Sequence, residues 1–240
     1  AHMKPPLAEN SGFFSSPLGS SSFTLAPRNP LHMTYTSEEV GLEASGECTA
    51  IFLPGCAGDQ APVLKARTAL PDGKIRDIHE DGYLLAEQLG EWLASCAQNA
   101  AERAGDFLSE GTLDVRKTAA LLPEQEMRYS TKELRPHTSF SFLPTGTSLE
   151  TPLAYFRLGP AGILTCQPEL NSGFGARVRE ILGENVLLAT LTDGAAKYLP
   201  EEEDFQRITY TAMNTAIGRG ADAAFLEAVR KLRDRGGERA

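Results

Sequence analysis

The chain has 240 residues, of which 41% are hydrophobic and 23% charged, and its formal net charge is −9. These proportions are typical of a globular protein, and the length allows one large domain or two small ones. An acidic surface repels nucleic-acid phosphates and anionic lipid, so we expect no nucleic-acid partner. No apolar stretch approaches the roughly 20 residues that cross a bilayer, so we expect no transmembrane segment.

The beginning of the chain differs in composition from the rest. Residues 1–30 are rich in Ser, Pro and Gly, which predicts an extended or poorly ordered arm, followed by a single α/β domain over 31–240. Residues 1–3 resemble a cloning remnant, so a signal peptide could have been removed. The four cysteines (Cys48, Cys56, Cys96 and Cys166) lack CxxC spacing. They predict free thiols, which favours a cytoplasmic location.

Local patterns predict the elements of the first half. A serine followed by acids predicts a short helix over 37–44, and the apolar run 49–53 predicts a buried strand. A Pro-Asp-Gly loop at 71–73 then precedes the clearest helix, over 77–104. We expect the stripe on this helix that contains Leu84 and Trp92 to pack in the core.

The second half alternates strands and helices. The predicted strands cover 111–122, 152–157, 163–166 and 185–192, the middle two forming a hairpin, and a polar segment at 123–151 has turn residues at 144–147. Helices are predicted over 174–182, from an acidic start at 201–204, and over 220–235. This order predicts an α/β fold, a layered sandwich with a mixed β-sheet flanked by helices.

Three predicted strand ends, 55–62, 167–173 and 193–200, each carry Gly or Pro and a group able to bind a metal or move a proton. If the strands are neighbours, Asp59, Glu169, Asp193 and Tyr198 converge. A carboxylate and a phenolate can both ligate zinc, and histidine is their commonest companion. Taken singly, Glu169 also fits a helix start and Tyr198 also fits a packing position. The available histidines are His32, His79 and His137.

The same three segments resemble one enzyme family. Residues 49–62 (TAIFLPGCAGDQAP) resemble the strand and Gly-Asp-x-x-Pro turn of the neutral (non-lysosomal) ceramidases and their bacterial relatives. Residues 155–173, with Pro168-Glu169, resemble the segment in which that family has Pro-Gly-Glu. Residues 185–200, ending in KYLP, resemble its Gly-Tyr-Ile-Pro segment. The likeness covers roughly residues 30–235, with no match within 65–150.

The resemblance implies a neutral ceramidase catalytic-domain-like fold and hydrolysis of, or acyl transfer at, an amide bond. It implies His32, Glu169 and Tyr198 as ligands of a zinc ion, which would lower the pKa of a bound water and polarise an amide carbonyl. Asp59 and Tyr198 are the implied catalytic residues, and the substrate is a small-molecule or lipid-like amide. The residues predicted to border the substrate are Gly58, Gln60 and Asp193.

Departures from the family pattern keep two alternatives open. The family's first ligand histidine has no match here, and Ala61 stands where the family's turn carries a serine. The first alternative is a non-catalytic subunit or partial chain that needs a second polypeptide, or a homo-oligomer. The second is a cysteine-dependent hydrolase that uses Cys56, with His32 or His79 as base.

Overall fold

The structure is a computed structural model that describes residues 12–15, 22–27, 48–61, 67–78, 82–103, 111–127 and 138–234. Its strands are β1 (Gly12–Ser15), β2 (Ser22–Pro27), β3 (Cys48–Leu53), β4 (Arg67–Ala69), β5 (Ile75–Asp77), β6 (Leu113–Gln125), β7 (Pro144–Leu158), β8 (Ala161–Cys166), β9 (Glu169–Leu170), β10 (Val186–Ala189) and β11 (Tyr198–Leu199). Its helices are α1 (Gly82–Glu102), α2 (Ser172–Leu182), α3 (Glu202–Arg207), α4 (Tyr210–Met213) and α5 (Ala221–Asp234).

The chain divides into two compact units, and the first contains α1 and the strands from β1 to β5, apart from the terminal residues Ser22 and Leu53. A three-stranded sheet has the order β1-β2-β3, and β4 pairs antiparallel with β5. The predicted strand at 49–53 is thus confirmed as β3. The two strands β1 and β2 fall within the predicted arm, whose boundary at residue 30 stays a prediction. The helix predicted over 37–44 lies outside the described residues.

Helix α1 begins later than its sequence pattern predicts. Residues 75–77 belong to β5, because they pair with β4, and the helix starts at Gly82. The expected core stripe is partly wrong, since Trp92 and Leu84 are each 57% exposed. The helix instead buries the small side chains of Ala94 and Ala97. None of the described helices is both long enough and apolar enough to cross a bilayer.

The second unit is built on a four-stranded sheet with the order β10-β8-β7-β6. Strands β6, β7 and β8 run antiparallel, and β10 lies parallel to β8. The sheet is therefore mixed, and the predicted α/β fold with a mixed sheet flanked by helices is confirmed. The predicted hairpin is also confirmed, as β7 and β8 joined at Gly159-Pro160.

Strands β6 and β7 extend beyond the lengths predicted from their sequence. Residues 144–147 lie within β7, and the pairing with β6 reaches from Leu113↔Leu158 to Gln125↔Pro144. The register shifts between Pro123 and Gln125, so residues 145–147 form an irregularity in the ladder. Backbone hydrogen bonds hold this ladder whatever the side chains are, so polar residues at its solvent-facing end do not stop it. Gly146 has φ +81° there, a conformation that glycine adopts readily.

The core lies between one face of this sheet and helices α2 and α5. Alternate strand residues such as Leu153 and Leu164 point into it, as period-two alternation requires. From the helices, Phe174 and Phe225 meet edge to face with ring centroids 5.6 Å apart. The helices predicted over 174–182 and 220–235 are thereby confirmed as α2 and α5, and Gly183 ends α2 with φ +115°.

Candidate functional site

The turn after β3, residues 54–60, belongs to the second unit and lies against the ends of two strands of that unit. The Thr190 N–H donates to the Pro54 carbonyl at 2.8 Å, and its hydroxyl donates to the Gly55 carbonyl at 2.9 Å. The Gly58 N–H donates to the Leu170 carbonyl at 2.9 Å. The Glu169 N–H donates to the Lys197 carbonyl, so the three segments singled out in the sequence lie next to one another.

Gly58 is needed here for close backbone approach. A Cβ atom at this position would lie 2.7 Å from Asn171 Oδ1 and 3.1 Å from the Leu170 carbonyl oxygen. Any larger residue would push the turn away from β9 and break the hydrogen bond between the two. This packing accounts for the glycine, and its predicted contact with substrate stays a prediction.

Asp59 binds the first residue of α2. Its Oδ1 accepts the Ser172 N–H at 2.8 Å, and its Oδ2 accepts the Ser172 hydroxyl at 2.6 Å. Gln60 Nε2 also donates to Asp59 Oδ1, at 3.1 Å. Burial works to raise the pKa of Asp59, but the hydrogen bonds from Ser172 and Gln60 outweigh it and leave the pKa below its ordinary value.

This contact is a helix cap supplied from a distant part of the chain. A carboxylate at a helix N-terminus accepts free N–H groups and interacts favourably with the helix dipole. The residue at the N-cap position, Asn171, makes no such side-chain bond. Ser172 was missed from the sequence, because its partner lies 113 residues away.

Glu169 and Tyr198 lie opposite each other on neighbouring strands. β9 pairs parallel with β11, with Tyr198 in register with Glu169, so both side chains project from the same face. Both residues are half-buried. Burial raises the pKa of Glu169. The pKa of Tyr198 is raised mainly by burial and also by the nearby Glu169 carboxylate. Two predicted zinc ligands are thus brought together.

Three further side chains are linked to Tyr198 by successive contacts. The ring of Tyr210 meets that of Tyr198 edge to face, with centroids 5.9 Å apart. Asn214 Nδ2 donates to the Tyr210 hydroxyl at 2.8 Å, and Lys197 Nζ donates to Asn214 Oδ1 at 3.1 Å. Sequence reasoning missed all three as site residues. The available signal was the four-residue spacing of Tyr210 and Asn214, which places them on one side of a helical turn.

The loop between β10 and β11 carries unusual backbone conformations. Leu191, Asp193 and Lys197 have φ of 57°, 56° and 51°, in the left-handed region that costs energy for residues other than glycine. Hydrogen bonds of 2.6 Å hold the loop, from Gln167 Nε2 to the Asp193 carbonyl and from the Glu169 N–H to the Lys197 carbonyl. Such conformations concentrate at functional sites. Asp193 contributes its main-chain oxygen, while the residue is exposed.

A polar network behind the site joins α2 to α3. Asp204 Oδ2 accepts Asn171 Nδ2 at 2.6 Å and the Glu201 N–H at 2.8 Å. Glu201 and Asp204 form a capping box at the start of α3, so the predicted acidic helix start is confirmed. Glu201 also pairs with Arg177, whose guanidinium lies 4.5 Å from the centroid of the Phe174 ring.

The structure contradicts the prediction of a nucleophilic Cys56. This residue is fully buried, and burial raises the pKa of its thiol to about 12. A thiol that is protonated and inaccessible at neutral pH cannot attack a substrate. Its proposed bases, His32 and His79, lie outside the described residues. Cys56, Cys96 and Cys166 are free, as predicted.

Two of the three predicted zinc ligands, Glu169 and Tyr198, lie within the described residues. Within the described segments, no three His, Cys, Asp or Glu side chains lie close enough together to hold a metal ion. The predicted third ligand, His32, lies outside those segments, as does His137. Glu169 and Tyr198 do fit a cation, since two oxygen donors share one face. A positive charge would offset both the burial and the Glu169 charge that raise the pKa of Tyr198.

Comparisons with known proteins identify the fold. No protein-family model matches the sequence, and no curated protein matches it. A structure of ceramidase complexed with C2 is 14% identical and superposes with a TM-score of 0.52, over 67% of this chain and 35% of its own. Neutral ceramidase from Pseudomonas aeruginosa is 16% identical with a TM-score of 0.48, over 69% of this chain and 35% of its own. The chain therefore spans about a third of the length of these ceramidases. The superposition on the first of them supports a diverged ceramidase-like fold.

Proposed function

We propose that the chain hydrolyses the amide bond of a lipid-like substrate, as a diverged zinc-dependent amide hydrolase of the ceramidase type. The observation that carries the proposal is the register of β9 and β11, which sets Glu169 opposite Tyr198 within a ceramidase-like fold. The meeting of the three strand ends and the backbone strain of the 190–197 loop add support.

The side chains around this pair have positioning roles. Asp59 fixes Ser172 and, through it, the start of α2 directly after β9. Tyr210 and Asn214 restrain the ring of Tyr198. These contacts hold the two candidate groups in one orientation before substrate arrives, which lowers the cost of reaching the transition state.

A zinc ion would be held by Glu169 and Tyr198 together with His32. Bound there, it would lower the pKa of a water molecule and polarise the amide carbonyl of the substrate. Gly58, Gln60 and Asp193 are proposed to border the substrate, since they flank the same edge.

The test is release of fatty acid from a short-chain ceramide by the purified chain, with zinc content measured on the same sample. We expect about one zinc per chain, and a loss of about 100-fold or more in kcat/KM in Glu169→Gln and Tyr198→Phe. The matched controls are Glu203→Gln and Tyr83→Phe, which change exposed residues outside the site. Hydrolysis that survives both site substitutions would refute the assignment.

A second candidate function is that of a subunit that needs a partner polypeptide or a second copy of itself. The supporting observation is an apolar surface along β6, an edge strand of the four-stranded sheet. Its exposed members are Leu113, Val115 and Leu121. Exposed apolar strand edges pair readily with other chains. A metal-free chain that gains activity only with a second polypeptide would favour this candidate over the first.

A further inference from the structure

A concave site lies at the opposite end of the main sheet from the candidate site. It is a cleft of about 340 Å³ that opens where β8 and β10 begin, beside Val186. The candidate site follows the last residues of these strands, Cys166 and Ala189, roughly 15 Å of strand away. The volume lies in the range of clefts that bind small molecules.

Three arginines line this cleft, although the chain as a whole is acidic. Arg116 is committed to the fold, because it pairs with Asp114 and its Nη1 donates to the Leu232 carbonyl at 3.0 Å in the last turn of α5. It stabilises a helix C-terminus, where a positive charge is favourable. These contacts account for Arg116 without any ligand.

The other two arginines use only part of their guanidinium groups. Arg157 donates from Nε to the Gly159 carbonyl at 3.2 Å, and Arg233 donates from Nε to Asp234 Oδ1 at 2.8 Å. In the described part of the chain these bonds leave the terminal Nη groups of both residues for another acceptor. A guanidinium fork matches the oxygens of a phosphate or carboxylate.

The remaining walls of the cleft are mixed. Asn185 adds an amide, and Glu184 is the single carboxylate among the lining residues, while Asp114 and Asp234 beside the cleft pair with Arg116 and Arg233. Pro160 and Leu182 provide apolar surface on which the body of an organic ligand can pack.

Tyr155 completes the wall and is held rigidly. It is buried, and the Arg116 guanidinium lies 5.7 Å from its ring centroid. A Cβ atom on Gly162 would lie 2.6 Å from the Tyr155 ring and hydroxyl, so only glycine leaves room for the ring. The aromatic wall is thus fixed in place before any ligand binds.

We propose that this cleft binds a small organic phosphate, with the phosphate oxygens on Arg157 and Arg233 and the organic part against Pro160, Leu182 and Tyr155. The site is independent of amide hydrolysis, since it shares no residue with the Glu169 and Tyr198 pair.

The proposal is tested by titration calorimetry at low ionic strength, with phenyl phosphate, inorganic phosphate and phenol as probes. We expect saturable binding of one phenyl phosphate per chain, weaker binding of inorganic phosphate, and still weaker binding of phenol. Arg157→Gln and Arg233→Gln should each weaken phenyl phosphate binding about 10-fold or more, because each removes charge-assisted hydrogen bonds. Glu184→Gln should instead tighten binding several-fold, because it removes the opposing charge.

Two matched variants separate a built site from a general effect of charge. Arg230→Gln removes a positive charge from the exposed side of the same helix as Arg233, and Glu180→Gln removes an exposed negative charge from α2. Both should leave the affinity unchanged, and the thermal unfolding midpoint of every variant shows whether it is folded. The proposal is overturned if no probe saturates the chain, if Arg230→Gln weakens binding as much as Arg157→Gln, or if phenol binds as tightly as phenyl phosphate.

Discussion

Asp59 accepts two hydrogen bonds from a single residue, Ser172, and it accepts them most strongly when it is an ionised carboxylate. Its oxygens bind the N–H and the hydroxyl of Ser172. Hydrogen bonds to the charged form stabilise that form, and this outweighs burial and lowers the pKa. A group whose pKa is lower in the folded chain stabilises the fold above its unfolded pKa and loses that effect as the pH falls through the folded pKa.

We therefore predict a pH-dependent effect of Asp59→Asn. At pH 7 and pH 5 the substitution should lower the free energy of unfolding by about 1 kcal/mol, because it weakens the cap at the start of α2. The difference should shrink as the pH falls below the unfolded value of 3.8 and vanish below the folded pKa. Urea unfolding of both proteins across this pH range measures it.

Glu180→Gln is the matched control, since Glu180 is an exposed acid on the same helix. It should change the free energy of unfolding by a few tenths of a kcal/mol at most. A deficit of Asp59→Asn that stays constant down to pH 2.5 or so would show that the carboxylate charge is not its source.

At the scale of elements, short pieces of structure form the candidate site because other elements hold them. β9 and β11 have two residues each, and isolated pairs of this length are unstable in water. Hydrogen bonds from the turn after β3 and from the 190–197 loop supply the missing support. The network through Asp204 then ties the start of α2 to the start of α3.

Asp204→Ala should cost more than the loss of an ordinary helix cap. Removing the carboxylate deprives α3 of its capping box, which is worth about 1 kcal/mol. It also leaves Asn171 Nδ2 without its acceptor. Because Asn171 is only 3% exposed, this loss adds about 1–2 kcal/mol. We expect the free energy of unfolding to fall by about 2–3 kcal/mol in total, measured by urea denaturation.

The comparison variant is Glu203→Ala, next in the chain and exposed. It should cost no more than about 0.5 kcal/mol. Equal losses from the two substitutions would mean that the contact between Asn171 and Asp204 contributes nothing.

At the scale of the whole molecule, the described part of the second unit exposes apolar side chains along β6, whose end alone is bridged, through Glu124 and Ile217. Leu121 on β6 is 63% exposed, while its neighbour Leu122 is fully buried. Adjacent strand residues face opposite sides of a sheet, so Leu121 lies on the exposed face and Leu122 on the buried face.

Leu121→Lys should therefore change the free energy of unfolding of an isolated chain by less than about 0.5 kcal/mol. If the chain associates with itself along β6, the same substitution should reduce the molar mass measured by light scattering to that of one chain, because a charge at an edge strand opposes pairing. Leu122→Lys is the contrasting variant and should prevent folding. A large loss of stability in monomeric Leu121→Lys would contradict the exposure of this edge.

Sequence alone determined those features that depend on neighbouring residues. Helix α5, the hairpin of β7 and β8, the acidic cap of α3 and the mixed α/β fold all follow from periodicity and turn chemistry, which are local. The three strand ends could also be singled out, since each combines an apolar run with polar turn residues. Local patterns misled where a partner decides the outcome, as at 144–147, where the ladder with β6 resumes at Gln125↔Pro144 beyond a register shift.

Only the tertiary structure decided which of these residues meet. The register of β9 and β11 places Glu169 opposite Tyr198, and a shift of one residue would turn one of them to the other face. Burial excluded Cys56, because desolvation depends on the surrounding core and not on the neighbouring sequence. The partner of Asp59 lies 113 residues away, and the arginine cleft joins residues from the sheet and α5. Contacts between distant parts of a chain form only when the core has fixed the elements that carry them.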